Sequence, residues 1–213
     1  MSFIPQSILD YAEKHTEPES KILQELRRET WQKILAPRML SGHLQGRLLS
    51  TISKMIRPRV ILEIGTYTGY STLCLAEGLA ENGVIHTLDN NEELVDFQRK
   101  YFKKAGFDKK IIQHTGEALE MIPQINKNYD LVFIDADKSN YSLYFDQIID
   151  SVNTRGIILS DNVLWGGKVV KRPLTNDRDT QSIIAYNTKL TNDKRVETLL
   201  LPFRDGLSIA RKI

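Results

Sequence analysis

The sequence has few of the residues that build disulfide frameworks and zinc sites. Its 213 residues include one cysteine, Cys74, which can close no intramolecular disulfide, and four histidines without ligand-like spacing. Lysine and arginine (29) nearly balance aspartate and glutamate (27), so the charge indicates no nucleic-acid partner. No apolar run approaches the roughly 20 residues that span a bilayer, and the amino terminus has no secretory pattern. We therefore expect a cytoplasmic protein that binds neither nucleic acid nor membrane.

The length and the hydrophobic pattern predict how the chain is organised. A total of 213 residues suffices for one large α/β domain and is short for two, so residues 1–213 are expected to form a single domain. Residues 1–57 carry apolar side chains at helical spacing, with breaks near Pro37 and Gly42. The chain should therefore begin with a helical segment over residues 1–57.

Five short apolar runs follow, and helix-length segments separate them. These runs cover residues 60–64, 84–89, 110–113, 129–135 and 156–160. Parallel strands need crossover connections, which are usually helices, so the alternation predicts a doubly wound α/β fold with a mostly parallel sheet. Two further runs flank a short turn-rich link and predict an antiparallel hairpin at the carboxyl end, at residues 196–201 and 207–210. The predicted sheet thus has seven strands.

The first motif with chemical content is EIGTYTGYS at residues 63–71. Gly65 and Gly69 permit a tight turn and the close approach of a ligand to the backbone. Two glycines alone fit a plain strand-to-helix turn equally well, but Asp89 ends the next strand, where an acid can accept hydrogen bonds from ribose hydroxyls. The spacing is not the G-x-G-x-x-G of dinucleotide folds. The pattern therefore favours a pocket for a nucleoside without phosphates.

A second group of polar residues follows the fourth and fifth predicted strands. Asp135, Asp161 and Asn162 should converge on one crevice, because ligands of open α/β sheets bind outside the carboxyl ends of the strands. Oxygen donors without cysteine or histidine favour Mg²⁺, with Ca²⁺ or Mn²⁺ as alternatives. Each residue alone could instead cap a helix. Lys138 lies beside this group and is interpreted as a general base, with a solvated surface lysine as the alternative.

These motifs resemble the cation-dependent O-methyltransferases of the caffeoyl-coenzyme A type, which are relatives of catechol O-methyltransferase. The resemblance runs from about Pro37 to the carboxyl terminus and is most specific at residues 63–71 and 133–138. It implies a Rossmann-like sheet of the class I methyltransferase type, S-adenosylmethionine as cofactor, and a homodimer. It also implies methyl transfer to a hydroxyl of a phenolic small molecule, either catechol-like or hydroxycinnamoyl.

The resemblance also assigns roles to individual residues. Asp135, Asp161 and Asn162 match the family's metal ligands, and Lys138 and Asp135 are the expected catalytic residues. Lys138, Trp165 and Arg204 are expected to contact the acceptor. The residues expected at the cofactor are Met39, Ser41, Glu63, Gly65, Tyr70, Ser71, Asp89, Gly116, Glu117, Ala118, Asp135 and Asp137.

The chain departs from the family pattern at two places. The family commonly has Met-Gln where this chain has Met39 and Leu40, and Gly-Asp-Gly where this chain has Arg204, Asp205 and Gly206. We therefore expect Arg204 to shape the acceptor mouth. Residues 165–170 resemble a mobile substrate loop, in which Trp165 either stacks on an aromatic acceptor or is a buried structural residue.

Two other functions remain possible on such a sheet. A nicotinamide-dependent oxidoreductase would share the architecture, but the missing G-x-G-x-x-G and the terminal hairpin argue against it. A non-catalytic binding protein could retain the fold. The three metal-type residues together with Lys138 argue against that alternative.

Overall fold

Three helices precede the first strand. The computed structural model describes residues 4–171 and 176–213, so the first three residues of the segment 1–57 and residues 172–175 lie outside the described part. The helices are α1 (Gln6–Lys14), α2 (Lys21–Lys33) and α3 (His43–Ile56). The predicted breaks separate α2 from α3, whereas the break between α1 and α2, at residues 15–20, was not predicted. A short 3₁₀ turn begins at Pro37, and Gly42, with a φ of 81°, lies immediately before α3.

The rest of the chain forms one mixed sheet with helices between its strands. The strands are β1 (Val60–Ile64), β2 (Val84–Asp89), β3 (Ile111–Thr115), β4 (Tyr129–Ile134), β5 (Val152–Asp161), β6 (Val196–Leu201) and β7 (Leu207–Lys212). The intervening helices are α4 (Tyr70–Ala76), α5 (Val95–Lys104), α6 (Ala118–Ile125), α7 (Tyr141–Ile148) and α8 (Arg178–Asn192).

The strand order is β3-β2-β1-β4-β5-β7-β6. Strands β1 to β5 are parallel, and β7 pairs antiparallel with both β5 and β6. The predicted doubly wound, mostly parallel seven-stranded sheet with a C-terminal antiparallel hairpin is therefore confirmed. Strands β2 and β3 lie on one side of β1, and β4 and β5 lie on the other, so the strand order reverses between β1 and β4. Ligands of open sheets bind at such a reversal.

Strand β5 is longer than its apolar run predicts. The run at residues 156–160 is preceded by polar, partly exposed residues that also belong to the strand. The register between β4 and β5 shifts there: Tyr129 pairs with Val152, but Leu131 pairs with Ile157. The added residues bulge out of the ladder, so hydrophobic alternation alone does not reveal them.

The sheet buries apolar side chains on both faces. One face packs against α2 to α5, and the other packs against α6 to α8. Within β1, Ile61 lies on the face that packs against α2 to α5 and Leu62 on the face that packs against α6 to α8, because successive side chains of a strand point to opposite faces. In the part of the chain that the structure describes, no helix is long and apolar enough to cross a membrane.

Helix α7 offers a matched test of this core. Ile148 is 0% exposed and Leu143, on the same helix, is 49% exposed. Ile148→Ala should lower the free energy of unfolding by about 2–5 kcal/mol, because it removes buried methyl groups and leaves a cavity. Leu143→Ala should change it by about 0.5 kcal/mol or less. Urea unfolding of both variants measures the difference, and equal losses would show that α7 does not bury this face.

Candidate active site

A cavity of about 750 Å³ opens at the carboxyl ends of the parallel strands. It lies at the reversal of strand order, where the sequence places its motifs. Among the predicted site residues, those on its wall are Met39, Ser41, Gly65, Tyr70, Ser71, Asp89, Gly116, Glu117, Ala118, Asp135, Asp137, Lys138, Asp161, Asn162, Trp165 and Arg204. Glu63 is the predicted residue that does not line it.

Gly65 forms the floor of the cavity by direct backbone contact with the end of β4. Its φ is 101°, and a Cβ atom added there would lie 2.0 Å from the carbonyl oxygen of Asp135. The backbone N–H of Asp135 donates to the carbonyl of Ile64 over 2.8 Å, so the two strand ends are tied together. Only glycine combines this φ with such close packing.

Glu63 lies behind the cavity wall. The hydroxyls of Ser71, Thr72 and Thr87 all donate to its fully buried carboxylate. Burial raises the pKa of Glu63 to about 7, an effect larger than the opposing influence of these donors. Through Ser71 it positions the start of α4, which does line the cavity. A direct contact between Glu63 and a cofactor remains a prediction.

Asp89 is held at the edge of the cavity by two backbone N–H groups. Its Oδ2 accepts from Tyr67 over 2.6 Å, and its Oδ1 accepts from Asn91 over 2.9 Å. The side chain of Gln98 donates to the carbonyl of Tyr67 over 2.7 Å, which holds that turn in place. The carboxylate is therefore fixed, and each of its oxygens keeps a lone pair for a ligand hydroxyl.

Lys138 lies at the opposite end of the cavity, with only 8% of its surface exposed. Its Nζ is 3.2 Å from Oδ1 of Asp135 and donates to Oη of Tyr141 over 2.6 Å. Burial, followed by the charges of Asp135 and Asp161, raises the pKa of Tyr141 well above its usual range. Nζ of Lys138 is therefore held between one carboxylate and one neutral phenol.

Asp161 is almost fully buried at the end of β5. Its Oδ2 accepts from Nε2 of Gln45 over 2.6 Å, and its Oδ1 accepts from the backbone N–H of Asn162 over 2.8 Å. Burial raises the pKa of Asp161 to about 6, and the negative charge of Asp135 adds to the rise. Asp135 and Asp161 thus form one acidic corner of the cavity, whose wall also includes Asn162, and oxygen donors of this kind suit a hard divalent cation.

The acceptor-side predictions, Trp165 and Arg204, also lie at this corner. Trp165 has a φ of 47° and begins the 3₁₀ segment Trp165–Val170, and its indole Nε1 is buried without a hydrogen-bond partner. Arg204 donates through Nη1 to the carbonyl of Ser41 and to Oε1 of Gln45. Its guanidinium is therefore directed towards protein acceptors within the cavity wall.

Two tyrosines of the site, Tyr67 and Tyr144, were not among the predicted site residues. Tyr144 lines the cavity from α7, and its hydroxyl donates to Oδ1 of Asp137, while Ser139 donates to Oδ2 over 3.1 Å. Tyr67 also lines the cavity and has a φ of 49°. Its hydroxyl donates to the carbonyl of Leu35 over 2.9 Å. In the sequence these tyrosines look like ordinary helix and turn residues.

Solved structures share this architecture over nearly the whole chain. The structure of the methyltransferase PaMTH1 from Podospora anserina, solved with bound SAH, superposes with a TM-score of 0.90 at 29% identity, covering 100% of this chain and 99% of that one. An O-methyltransferase from Bacillus cereus in complex with SAH gives a TM-score of 0.90 at 29% identity, with 97% of each chain covered. The fold is that of the class I methyltransferases.

Sequence comparison identifies the family. The O-methyltransferase family model matches residues 12–213. Caffeoyl-CoA O-methyltransferase 1 of Arabidopsis thaliana is 36% identical, with 98% of this chain and 83% of that protein covered. The caffeoyl-CoA O-methyltransferase of Medicago sativa is 38% identical, with 79% and 73% covered. The chain therefore belongs to the O-methyltransferase family and is an enzyme, which decides against the oxidoreductase and the non-catalytic binding protein.

The contact at Gly65 predicts a specific loss of stability. Gly65 and Gly106 both have positive φ angles, of 101° and 75°, but a Cβ atom at Gly106 would meet nothing within 4 Å. Gly106→Ala should lower the free energy of unfolding by about 1–2 kcal/mol, which is the cost of the left-handed backbone alone. Gly65→Ala should lower it further, because the end of β4 must move. Urea unfolding of both variants checks this, and indistinguishable losses would contradict it.

Proposed function

We propose that this enzyme transfers the methyl group of S-adenosylmethionine to one hydroxyl of a catechol-like or hydroxycinnamoyl small molecule, with the help of Mg²⁺, or of Ca²⁺ or Mn²⁺. The observation that carries the proposal is that Asp135, Asp161, Asn162 and Lys138 line the same cavity as Asp89 and Gly65, with Gly65 in direct contact with the carbonyl of Asp135. Family membership supports the reaction, and the relatives named for caffeoyl-CoA support a phenolic acceptor.

The strand ends around Gly65 suit the cofactor. SAH is bound in the two similar structures, and this cavity has the corresponding fold around it. Asp89 would accept hydrogen bonds from the ribose hydroxyls, and Gly65, Tyr70 and Ser71 would form the adjoining turn and helix start, with Glu63 assigned to the same group at the end of β1. We assign Met39 and Ser41 to the methionine end, Gly116, Glu117 and Ala118 to the adenine, and Asp135 and Asp137 to the cofactor's neighbourhood.

The corner of Asp135, Asp161 and Asn162 suits a divalent cation. Asp161 is buried and is repelled by Asp135, so a cation there would offset negative charge that burial otherwise disfavours. When bound, the cation would supply positive charge that lowers the pKa of an acceptor hydroxyl. Among the described residues, no three His, Cys, Asp or Glu side chains form a metal-type cluster, and the proposed set is two carboxylates with one amide.

Lys138 would act as the general base. As the neutral amine, its Nζ would take the proton of the acceptor hydroxyl, and the acceptor oxygen would bond to the methyl carbon as the carbon–sulfur bond breaks and SAH leaves. S-adenosylmethionine supplies the methyl group as an electrophile. The cavity wall, with Trp165 against the acceptor ring and Arg204 at its mouth, holds the acceptor in attack geometry. Such positioning contributes up to roughly 7–11 kcal/mol in favourable cases.

Three further expectations concern the protein as a whole. A homodimer, a cytoplasmic location and a single domain over residues 1–213 stay predictions.

Two substitutions at opposite ends of the cavity test the proposed assignment. Asp89→Ala should weaken S-adenosylmethionine binding by about 1.5–3 kcal/mol, because a charged acceptor is lost. Asp161→Ala should leave that affinity nearly unchanged and should abolish Mg²⁺-dependent turnover of a catechol. Calorimetry and a methyl-transfer assay measure the two effects. Full activity of the wild type in EDTA would remove the metal from the proposal, and unchanged cofactor affinity in Asp89→Ala would remove Asp89.

The role of Lys138 is tested by the pH dependence of turnover. Lys138→Met keeps most of the side chain's bulk and removes the proton acceptor. If Lys138 is the base, kcat should fall by about 10²–10⁴-fold, and higher pH should partly restore it because solvent then removes the proton. The measurement is kcat against pH for both proteins on one catechol at saturating Mg²⁺. Superimposable profiles would end the assignment.

A further inference from the structure

Arg204 and Gln45 form a chain of contacts that ends on Asp161. Arg204 lies in the turn between β6 and β7, and its Nη1 donates to Oε1 of Gln45 on α3. Nε2 of the same Gln45 donates to Oδ2 of Asp161 over 2.6 Å. Gln45 is 1% exposed, so water cannot easily replace either partner. Three segments that are distant in sequence therefore meet on one amide group.

The chemistry of the arginine determines which way this amide faces. A guanidinium can only donate hydrogen bonds, so the atom of Gln45 that faces Arg204 must be the carbonyl oxygen. The NH₂ group must then face Asp161. The ionised Asp161 carboxylate can only accept, so it favours the same orientation, in which the amide oxygen turns away from it. Arg204 therefore reinforces the orientation in which Gln45 donates to Asp161.

The contacts of Asp161 show what this orientation does. Its two oxygens accept from different donors, Oδ1 from the backbone of Asn162 and Oδ2 from Gln45. Two donors on opposite oxygens fix the plane of a carboxylate, and one lone pair on each oxygen stays available. Groups that hold a metal ligand in this way commonly change metal affinity by 10–100-fold when removed.

We propose that Gln45 and Arg204 are positioning residues that orient Asp161 for a divalent cation, with Arg204 acting through Gln45. This inference rests on the proposed metal site and names the residues that prepare it. Arg204 also donates to the carbonyl of Ser41, which holds the segment before α3 against the same corner.

The sign of one substitution separates this role from a simple effect of charge. The guanidinium is a cation near the proposed cation site and repels the metal. If Arg204 acted only through its charge, its removal would tighten metal binding. If it acts by orienting Gln45, its removal weakens metal binding, and only while Gln45 is present.

The experiment measures the affinity of Mn²⁺ for the full-length protein without cofactor or acceptor, from the electron paramagnetic resonance signal of free Mn²⁺. Gln45→Met preserves the size of the side chain and should weaken binding by about 10–100-fold. Arg204→Met should also weaken binding, and adding it to Gln45→Met should cause no further weakening. Arg204→Lys retains a donor and should stay near the wild type. Arg38→Met is the matched control, because Arg38 also lines the cavity and has no contact with Gln45 among those described.

The outcomes are distinguishable from those of the metal assignment itself. If the wild type binds Mn²⁺ and Asp161→Ala does not, the metal site is supported. If Arg204→Met then binds Mn²⁺ as tightly as the wild type or more tightly, only the positioning role is overturned. Additive weakening in the double variant overturns action through Gln45. If the wild type binds no Mn²⁺, both proposals fail. If thermal unfolding shows that Arg204→Met does not fold, the Mn²⁺ affinities of Gln45→Met and Arg204→Lys are compared instead. A wild-type affinity in Gln45→Met would then overturn the proposal.

Discussion

The contact between Gly65 and the carbonyl of Asp135 is the constraint on which the site depends. It exists because β1 and β4 are neighbours although two strands separate them in sequence, and because Ile64 and Ile134 are paired in register. The residues that follow them, Gly65 and Asp135, must then lie against each other. A side chain at position 65 would separate the two strand ends. The absence of one Cβ atom thus brings the nucleoside-type turn and the acidic corner into one cavity.

Much of this arrangement follows from hydrophobic alternation and strand ends. Asp89 and Asp161 are the last residues of buried strands and Asp135 directly follows one, so they lie at one edge because parallel strands end on the same side. The cavity wall contains every predicted site residue except Glu63. Glu63 belongs to the same motif, but strand alternation directs it into the interior, where it holds Ser71 from behind.

The contacts between distant segments could not be predicted in this way. Gln45 lies on an amphipathic helix and Arg204 in a turn, and neither position shows which carboxylate or carbonyl it will meet. Tyr144 likewise belongs to a helix whose apolar pattern explains it without any site. The polar residues near the start of β5 could not be predicted as strand either, because residues in a bulge do not follow the alternation of apolar and polar side chains. Periodicity describes one element at a time, and these features arise only when elements pack together.

Strand β7 has a consequence for the order in which the protein folds. It is inserted between β5 and β6, so β5 receives its second neighbour only from a strand that follows α8 and β6 in the chain. Closing such a long loop costs entropy before any pairing compensates for it, and non-local pairings of this kind form slowly. Until then β5 has an open edge that can pair with another chain. Asp161 pairs with Leu207, so the acidic corner is completed only when this last strand has joined the sheet.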